Sequence, residues 1–224
     1  MEQYLDIVRG IALFDGIDAS ELSFLLDCLG ARVVSYQKEE TVLLAGDRPE
    51  SVGVVLTGQL HVVWDDCDGN RVLVTALTQG KPFAETLCCA GVAESPVSVI
   101  AETAAAVMAL NFKRILYTCP SACPYHTKLI ENMLGLIANK TLQLQSRMEI
   151  VCLKSVRAKV VRCLELFKTR QGRGAAAVTV PFNREGMADF LCVERSALSH
   201  ELSKMKREGL LDYRKNTFTP HWKI

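Results

Sequence analysis

The stretch NREGMADFLCVERSALSHEL, Asn183 to Leu202, decides how the C-terminal part of this chain folds. Met187, Leu191, Val193, Leu198 and Leu202 recur at spacings that place them on the inner side of two short helices separated by a break, and Ala188 is small where two helices would cross closely. Arg195, Ser196, Ser199 and His200 then fall on the opposite, solvent side, near the start of the second helix.

On either side of this stretch the pattern completes a known supersecondary unit. Lys154 to Lys168 carries Val156, Val160, Cys163, Leu164 and Phe167 at helical spacing and is followed by the flexible Gln171-Gly172-Arg173-Gly174. Arg195 to Glu208 reads as the last helix. Leu210 to Tyr213 and Thr217 to Thr219, joined by Arg214-Lys215-Asn216, read as a hairpin. Three helices and a hairpin make residues 154–224 a winged helix-turn-helix domain.

Charge separates this module from the rest. Residues 154–224 hold 15 Lys and Arg against 7 Asp and Glu, whereas residues 1–153 hold 11 against 18, so a net of +8 sits beside a net of −7. A basic module suits a polyanion, because each cation that reaches a phosphate releases condensed counterions, and an acidic remainder is repelled by the same polymer. A solvated basic face with no partner is the competing reading of charge alone.

Upstream, Tyr125 to Val151 contains one glycine and no proline, and is expected to run as one long helix over 125–153. Ile130, Leu134, Ile137, Thr141, Leu144, Met148 and Val151 alternate at four and three residues, the seam of a helix that pairs with a second copy. Leu129, Met133 and Leu136 occupy a neighbouring face that can pack on the helix's own domain.

Between Arg32 and Leu110 the pattern becomes short β-branched runs broken by glycine and aspartate: Val33-Val34, Thr41 to Leu44, Val52 to Leu56, Leu60 to Trp64, Arg71 to Leu77, Val97 to Ile100 and Ala106 to Leu110. Such spacing suggests an antiparallel sandwich or barrel. Gly69 and Asn70 suit a hairpin turn of positive φ. Two short helices are expected in Glu2 to Leu29, with Asp18 and Glu21 as a capping box for the second. The fold class is therefore α+β, with an antiparallel β domain over 1–124, a long dimerisation helix and a winged helix-turn-helix.

With 49% hydrophobic and 23% charged residues over 224 positions, the composition is globular and excludes a disordered or fibrous chain. No apolar run reaches membrane-spanning length and the N-terminus lacks a signal-peptide pattern, so a cytoplasmic protein without a membrane partner is expected. Nine cysteines without regular spacing read as free thiols of a reducing compartment.

The sequence resembles the Crp/Fnr family of bacterial transcription regulators over nearly its whole length. Arg195-Ser196-Ala197-Leu198-Ser199-His200-Glu201-Leu202 with Lys206-Arg207-Glu208-Gly209-Leu210-Leu211 resembles the family's recognition helix and entry to the wing. Leu13-Phe14-Asp15-Gly16-Ile17, Ala45-Gly46-Asp47, Leu56-Thr57-Gly58-Gln59-Leu60, Asp68-Gly69-Asn70 and Gly80-Lys81-Pro82-Phe83-Ala84-Glu85 resemble the landmarks of its cyclic-nucleotide-binding jelly roll. The resemblance implies a homodimer on double-stranded operator DNA, an effector or redox signal sensed by the N-terminal domain, RNA polymerase as a further partner, and no enzymatic activity. Arg195, Ser196, Ser199 and His200 would then read bases, and Lys204, Arg214 and Lys215 would hold the backbone.

The departures from the family carry information too. The effector pocket would involve Ala84, Glu85, Thr86, Leu87, Ser95 and Pro96. Family members that bind cyclic AMP have Gly-Glu and then Arg-Ser in this region; here Glu85 is kept, Ala84 replaces the glycine, and Ser95-Pro96 stand in place of Arg-Ser. A serine cannot offset a buried phosphate, so cyclic AMP is not the expected ligand. Glu85 reads equally well as a salt-bridge or turn residue. Cys192 stands where the helix-turn-helix usually has glycine, and must take positive φ at roughly 1 kcal/mol or reshape the turn. Ser196 and His200 replace the commoner glutamate and arginine, so a different operator is expected.

Cys119, Cys123 and His126 form a weak cluster that could bind metal or haem, or supply a regulatory disulfide; ordinary structural cysteines are the plainer reading, and the effector is left unknown. Two rivals follow: a thiol-based redox or metal enzyme or sensor using those three residues, and a constitutive DNA binder whose pocket is vestigial.

Overall fold

A computed structural model describes residues 2–117, 124–172 and 176–222. The chain divides into two compact units, Met1–Asn139 and Lys140–Ile224. The division falls inside the long helix, α5 (Pro124–Val151).

The first unit opens with a 3-10 turn (Glu2–Tyr4), α1 (Leu5–Arg9), a second 3-10 turn (Ala12–Phe14) and α2 (Ala19–Cys28). Asp18 caps α2 through its backbone alone: its carbonyl accepts from Glu21 and Leu22 and its side chain makes no cap bond, so the expected capping box is not formed.

Eight strands follow: β1 (Arg32–Tyr36), β2 (Thr41–Leu43), β3 (Ser51–Thr57), β4 (Leu60–Asp65), β5 (Arg71–Leu77), β6 (Pro82–Phe83), β7 (Ser98–Ala101) and β8 (Ala105–Asn111). They pair antiparallel in two four-stranded sheets, β1-β8-β3-β6 and β2-β7-β4-β5, the jelly-roll arrangement expected. The expectation missed β6, because two residues beginning with proline carry no alternating pattern. At the β4–β5 turn Gly69 takes positive φ but Asn70 does not; Asn70 instead donates its backbone and side-chain N–H to the Asp66 carboxylate.

β3 shows why alternation fades in one sheet. Val52, Val54 and Leu56 pack with Met108 and Leu110 of β8 against Leu22, Leu25, Leu26 and Leu129 of the helices. Val55 and Val107, on the other face, meet Leu60 and Val99 of the second sheet. Both faces are covered, so β3 is buried almost throughout. Gly53 is required here, since a Cβ would come within 2.1 Å of the Phe83 ring. Two short helices, α3 (Glu85–Ala90) and α4 (Phe112–Leu116), complete the loops.

The second unit contains α6 (Val156–Gln171), β9 (Val178–Thr179), α7 (Arg184–Leu191), α8 (Arg195–Arg207), β10 (Leu211–Arg214) and β11 (Thr217–Pro220), with sheet order β10-β11-β9. Its core joins Ile150 of α5 to Val160, Leu164, Met187, Leu191, Leu198, Leu202 and Phe218, so the apolar positions of the decisive stretch are buried as expected, except Val193, which is only partly buried. Ser155 and Asn183 cap α6 and α7 with their side chains.

Candidate nucleic-acid interface

The solvent face of α8 follows from its buried face. With Leu198, Leu202 and Met205 facing inward, Arg195, Ser196, His200 and Lys204 are exposed and Ser199 is half-buried beside them. The Ser203 hydroxyl, one turn beyond Ser199, donates to the Ser199 carbonyl and extends the same stripe. The sequence reading missed Ser203, although its spacing of four from Ser199 was the signal.

Two contacts fix this helix from the opposite side. Arg157 of α6 pairs with Glu201 at 2.6 Å and with Glu208 at 2.7 Å. Those bonds hold the Glu208 carboxyl below its usual range and push the Arg157 guanidinium up. Arg162 pairs with Glu149 and Glu165, and Lys206 and His221 both reach Asp212. The acidic side chains of the unit are thus largely neutralised by these cations. Arg195, Lys204, Arg207, Arg214 and Lys215 make no ion pair among the described residues, which leaves their charge to face solvent.

Arg214 and Lys215 lie at the tip of the β10–β11 hairpin, both exposed, with Lys215 at positive φ. The tip is anchored by Asn216, whose side chain donates to the Val180 carbonyl. Lys215 shares a cleft of about 440 Å³ with Asn183 and Arg184 at the start of α7. Arg184 stands over the Tyr213 ring at 5.0 Å and the Phe218 ring at 5.7 Å; burial, and secondarily the like charge of Arg195, push its pKa down. Sequence reasoning overlooked Asn183 and Arg184 as site residues. The Asn183 Oδ1 caps this helix start by accepting from the Gly186 N–H, and Arg184 and Lys215 line the same cleft.

Cys192 takes φ 50° and ψ 59°, the left-handed conformation anticipated for it, and is exposed.

In the first unit the pocket residues have mixed placements. Ala84 caps the start of α3 at φ 61°, a left-handed conformation that glycine adopts more readily. Glu85 is buried, with the Thr86 hydroxyl 3.5 Å from its carboxylate. Leu87 is half-buried and Pro96 exposed. Ser95 is buried, and its polar groups are used locally: its N–H donates to the Asp47 carbonyl, its carbonyl accepts from Gly46, and its hydroxyl donates to the Val97 carbonyl. It ties two loops together.

Along α5, Leu129 and Met133 are buried in the first unit's core, with Ile130, Leu136 and Ile137 packed partly against it. Leu134, Leu144 and Met148 are 64%, 63% and 66% exposed, Thr141 is exposed and Val151 half-buried. Leu142, which the seam did not include, is 59% exposed as well.

Of the metal or haem candidates, Cys119 and Cys123 lie outside the described residues. His126 is 1% exposed, and its Nδ1 has no hydrogen-bond partner among the described residues. No helix is long and apolar enough to cross a membrane among the residues described.

Comparison with known proteins agrees with this geometry. Residues 33–119 match the cyclic nucleotide-binding domain and residues 158–220 match the Crp-like helix-turn-helix domain. The transcriptional activator protein FnrL of Cereibacter sphaeroides is 25% identical over 211 residues, covering 91% of this chain and 81% of that protein. The catabolite activator protein of Thermus thermophilus has a similar fold, at a TM-score of 0.55 and 18% identity over 94% of this chain and 93% of that one. So does the c-di-GMP responsive global regulator CLP of Xanthomonas campestris, at a TM-score of 0.57 and 16% identity over 92% of this chain and all of that one. The protein is a DNA-binding transcription regulator of the helix-turn-helix class. It belongs to the Crp/Fnr family.

Proposed function

We propose that the chain acts as a homodimer that places two α8 helices in successive major grooves of an operator, under the control of a signal received by the jelly roll. The observation that carries this reading is the α8 stripe: a polar and cationic face whose Arg195 and Lys204 make no ion pair among the described residues, backed by the buried Leu198, Leu202 and Met205. Arg195, Ser196, Ser199 and His200 read base edges, and Lys204, Arg214 and Lys215 hold phosphates. Arg184 and the first turn of α7 add a further phosphate contact.

The exposed Leu134, Leu144 and Met148 support pairing of α5 with its copy, because isolated large apolar side chains in one stripe lose about 1.5–3 kcal/mol each by staying in water. Two half-sites one helical turn apart follow from a twofold dimer. The cytoplasm is the compartment where such a regulator meets DNA and RNA polymerase, and no catalytic activity is required of it.

The signal is a small molecule or a redox change other than cyclic AMP. The local hydrogen bonds of Ser95 support this, since nothing cationic stands at that position to meet a cyclic phosphate. Haem and redox-active thiols are the two carriers to separate, and the mass of the native protein purified without air distinguishes them. A constitutive binder with a vestigial pocket would bind equally when oxidised, reduced and ligand-free.

The deciding experiment is a binding selection from random duplexes. Arg195→Ala and His200→Ala are expected to cost about 1–3 kcal/mol each on the selected duplex and to relax its preference at one position per half-site. Unchanged affinity and preference in both variants would overturn the assignment.

A further inference from the structure

We propose that Lys159 is the positioning residue of the DNA reader: its ammonium clamps the left-handed turn at Cys192 and so sets the direction of α8. This rests on α8 being the recognition helix.

Lys159 lies on α6 and is 8% exposed, beside core residues Val160 and Cys163. Among the described residues no carboxylate pairs with it. Its Nζ instead donates to the Leu191 carbonyl at 3.0 Å and reaches the Cys192 carbonyl at 3.4 Å. A buried cation with only carbonyl partners is costly to keep unless those carbonyls need it. They do.

The end of α7 closes in the usual way, with the Cys192 N–H donating to the Asp189 carbonyl and the Val193 N–H to that of Ala188. That closure leaves the Leu191 and Cys192 carbonyls pointing out of the helix end, where the negative pole of the helix dipole also lies. One ammonium satisfies both. It also pins the carbonyls on either side of the only strained residue in the turn.

Glycine would hold φ 50° without help; a side-chain-bearing cysteine is biased toward other backbone regions, so without a clamp the turn would sample several conformations. α8 begins only three residues after Cys192, at Arg195, and is 13 residues long. A small dihedral change at the turn therefore swings the whole base-reading face. The lysine and the cysteine are two halves of one device.

The test uses the full-length protein and a duplex selected from a random library with the unaltered protein. Lys159→Met is expected to weaken binding about tenfold or more, the loss of hydrogen bonds from a charged donor, and to lower the ratio of selected to random DNA. Cys192→Gly alone is expected to leave affinity within about twofold, and Lys159→Met combined with Cys192→Gly to recover most of the loss, because glycine needs no clamp. A lysine that only filled the core would not be rescued in this way. Undiminished binding by Lys159→Met overturns the proposal, as does a loss that Cys192→Gly fails to relieve. If Lys159→Met does not fold, the double variant decides: folding and binding support the clamp, and their absence overturns it. Failure of the unaltered protein to select any duplex would instead sink the recognition-helix reading.

Discussion

The Arg157 Nε stands 2.6 Å from the Glu201 carboxylate, joining α6 to the middle of α8 on the side opposite its exposed polar stripe. A second nitrogen of the same guanidinium reaches Glu208 at the end of that helix, so one planar fork fixes α8 at two points along its length. The recognition surface can then spend its own side chains on the ligand.

This fork makes a pH signature. The Arg157 hydrogen bond holds the Glu208 carboxyl below its unfolded value, and hydrogen bonds from His221 and then Lys206 do the same for Asp212. A carboxyl depressed in the folded state contributes stability that is complete above its unfolded pKa, about 4, and is lost as pH falls through the lower folded value. The melting temperature is expected to drop below about pH 4. Arg157→Met should melt lower at pH 7 and show a shallower acid decline, as followed by circular dichroism across pH 2–7.

Phosphate contacts and base contacts separate by salt dependence. Lys215→Ala and Arg214→Ala should weaken all duplexes to a similar extent and reduce the slope of log affinity against log salt by about 1 each. A variant that changed sequence preference while leaving the slope intact would place the wing tip at a base edge instead.

The exposed side of α5 gives a third prediction. Leu144→Asp combined with Leu134→Asp should shift the protein from dimer to monomer in light scattering and lower its DNA affinity at least about a hundredfold, since two linked half-sites bind far more tightly than one. Melting of each unit should be unaffected, because neither leucine is buried within its own unit.

Thiol chemistry is graded by burial. Burial, aided by Cys89 and Glu85, pushes the Cys88 thiol up to about 11, and burial alone pushes Cys163 up to about 12. Both remain neutral, and hence unreactive, at pH 8. Alkylation at pH 8 followed by peptide mass spectrometry should label the exposed Cys67, Cys152 and Cys192 first and spare Cys88 and Cys163 until the chain is denatured.

Core truncation supplies a magnitude. Leu198 is wholly buried between α7 and α8, and Leu198→Ala should cost about 2–5 kcal/mol in urea unfolding of the winged unit.

Periodicity and charge along the sequence determined much of this protein. The spacing of Met187, Leu191, Leu198 and Leu202 fixed which faces of α7 and α8 turn inward, and thereby put Arg195, Ser196 and His200 outward, because helical geometry is local and repeats every 3.6 residues. The surplus of cations after residue 153 needed only counting. The positive φ at Cys192 was foreshadowed by the resemblance to the Crp/Fnr family, whose helix-turn-helix usually has glycine there, with a reshaped turn as the alternative. Elements too short to show a period, such as β6, α3 and α4, were not legible.

The tertiary structure decided everything that depends on which distant groups meet. It placed Arg157 against Glu201 and Glu208, 44 and 51 residues away, and buried Lys159 beneath the turn 32 residues on. It left the Asp18 side chain out of its capping bond and spent the polar groups of Ser95 on its neighbouring loops. It also buried Leu129 and Met133 of α5 in the core of the first unit and Ile150 of the same helix in the core of the second. Local pattern sets the direction in which a side chain points; only the packed chain sets what waits there, because contacts between distant segments exist only once the loops between them have closed.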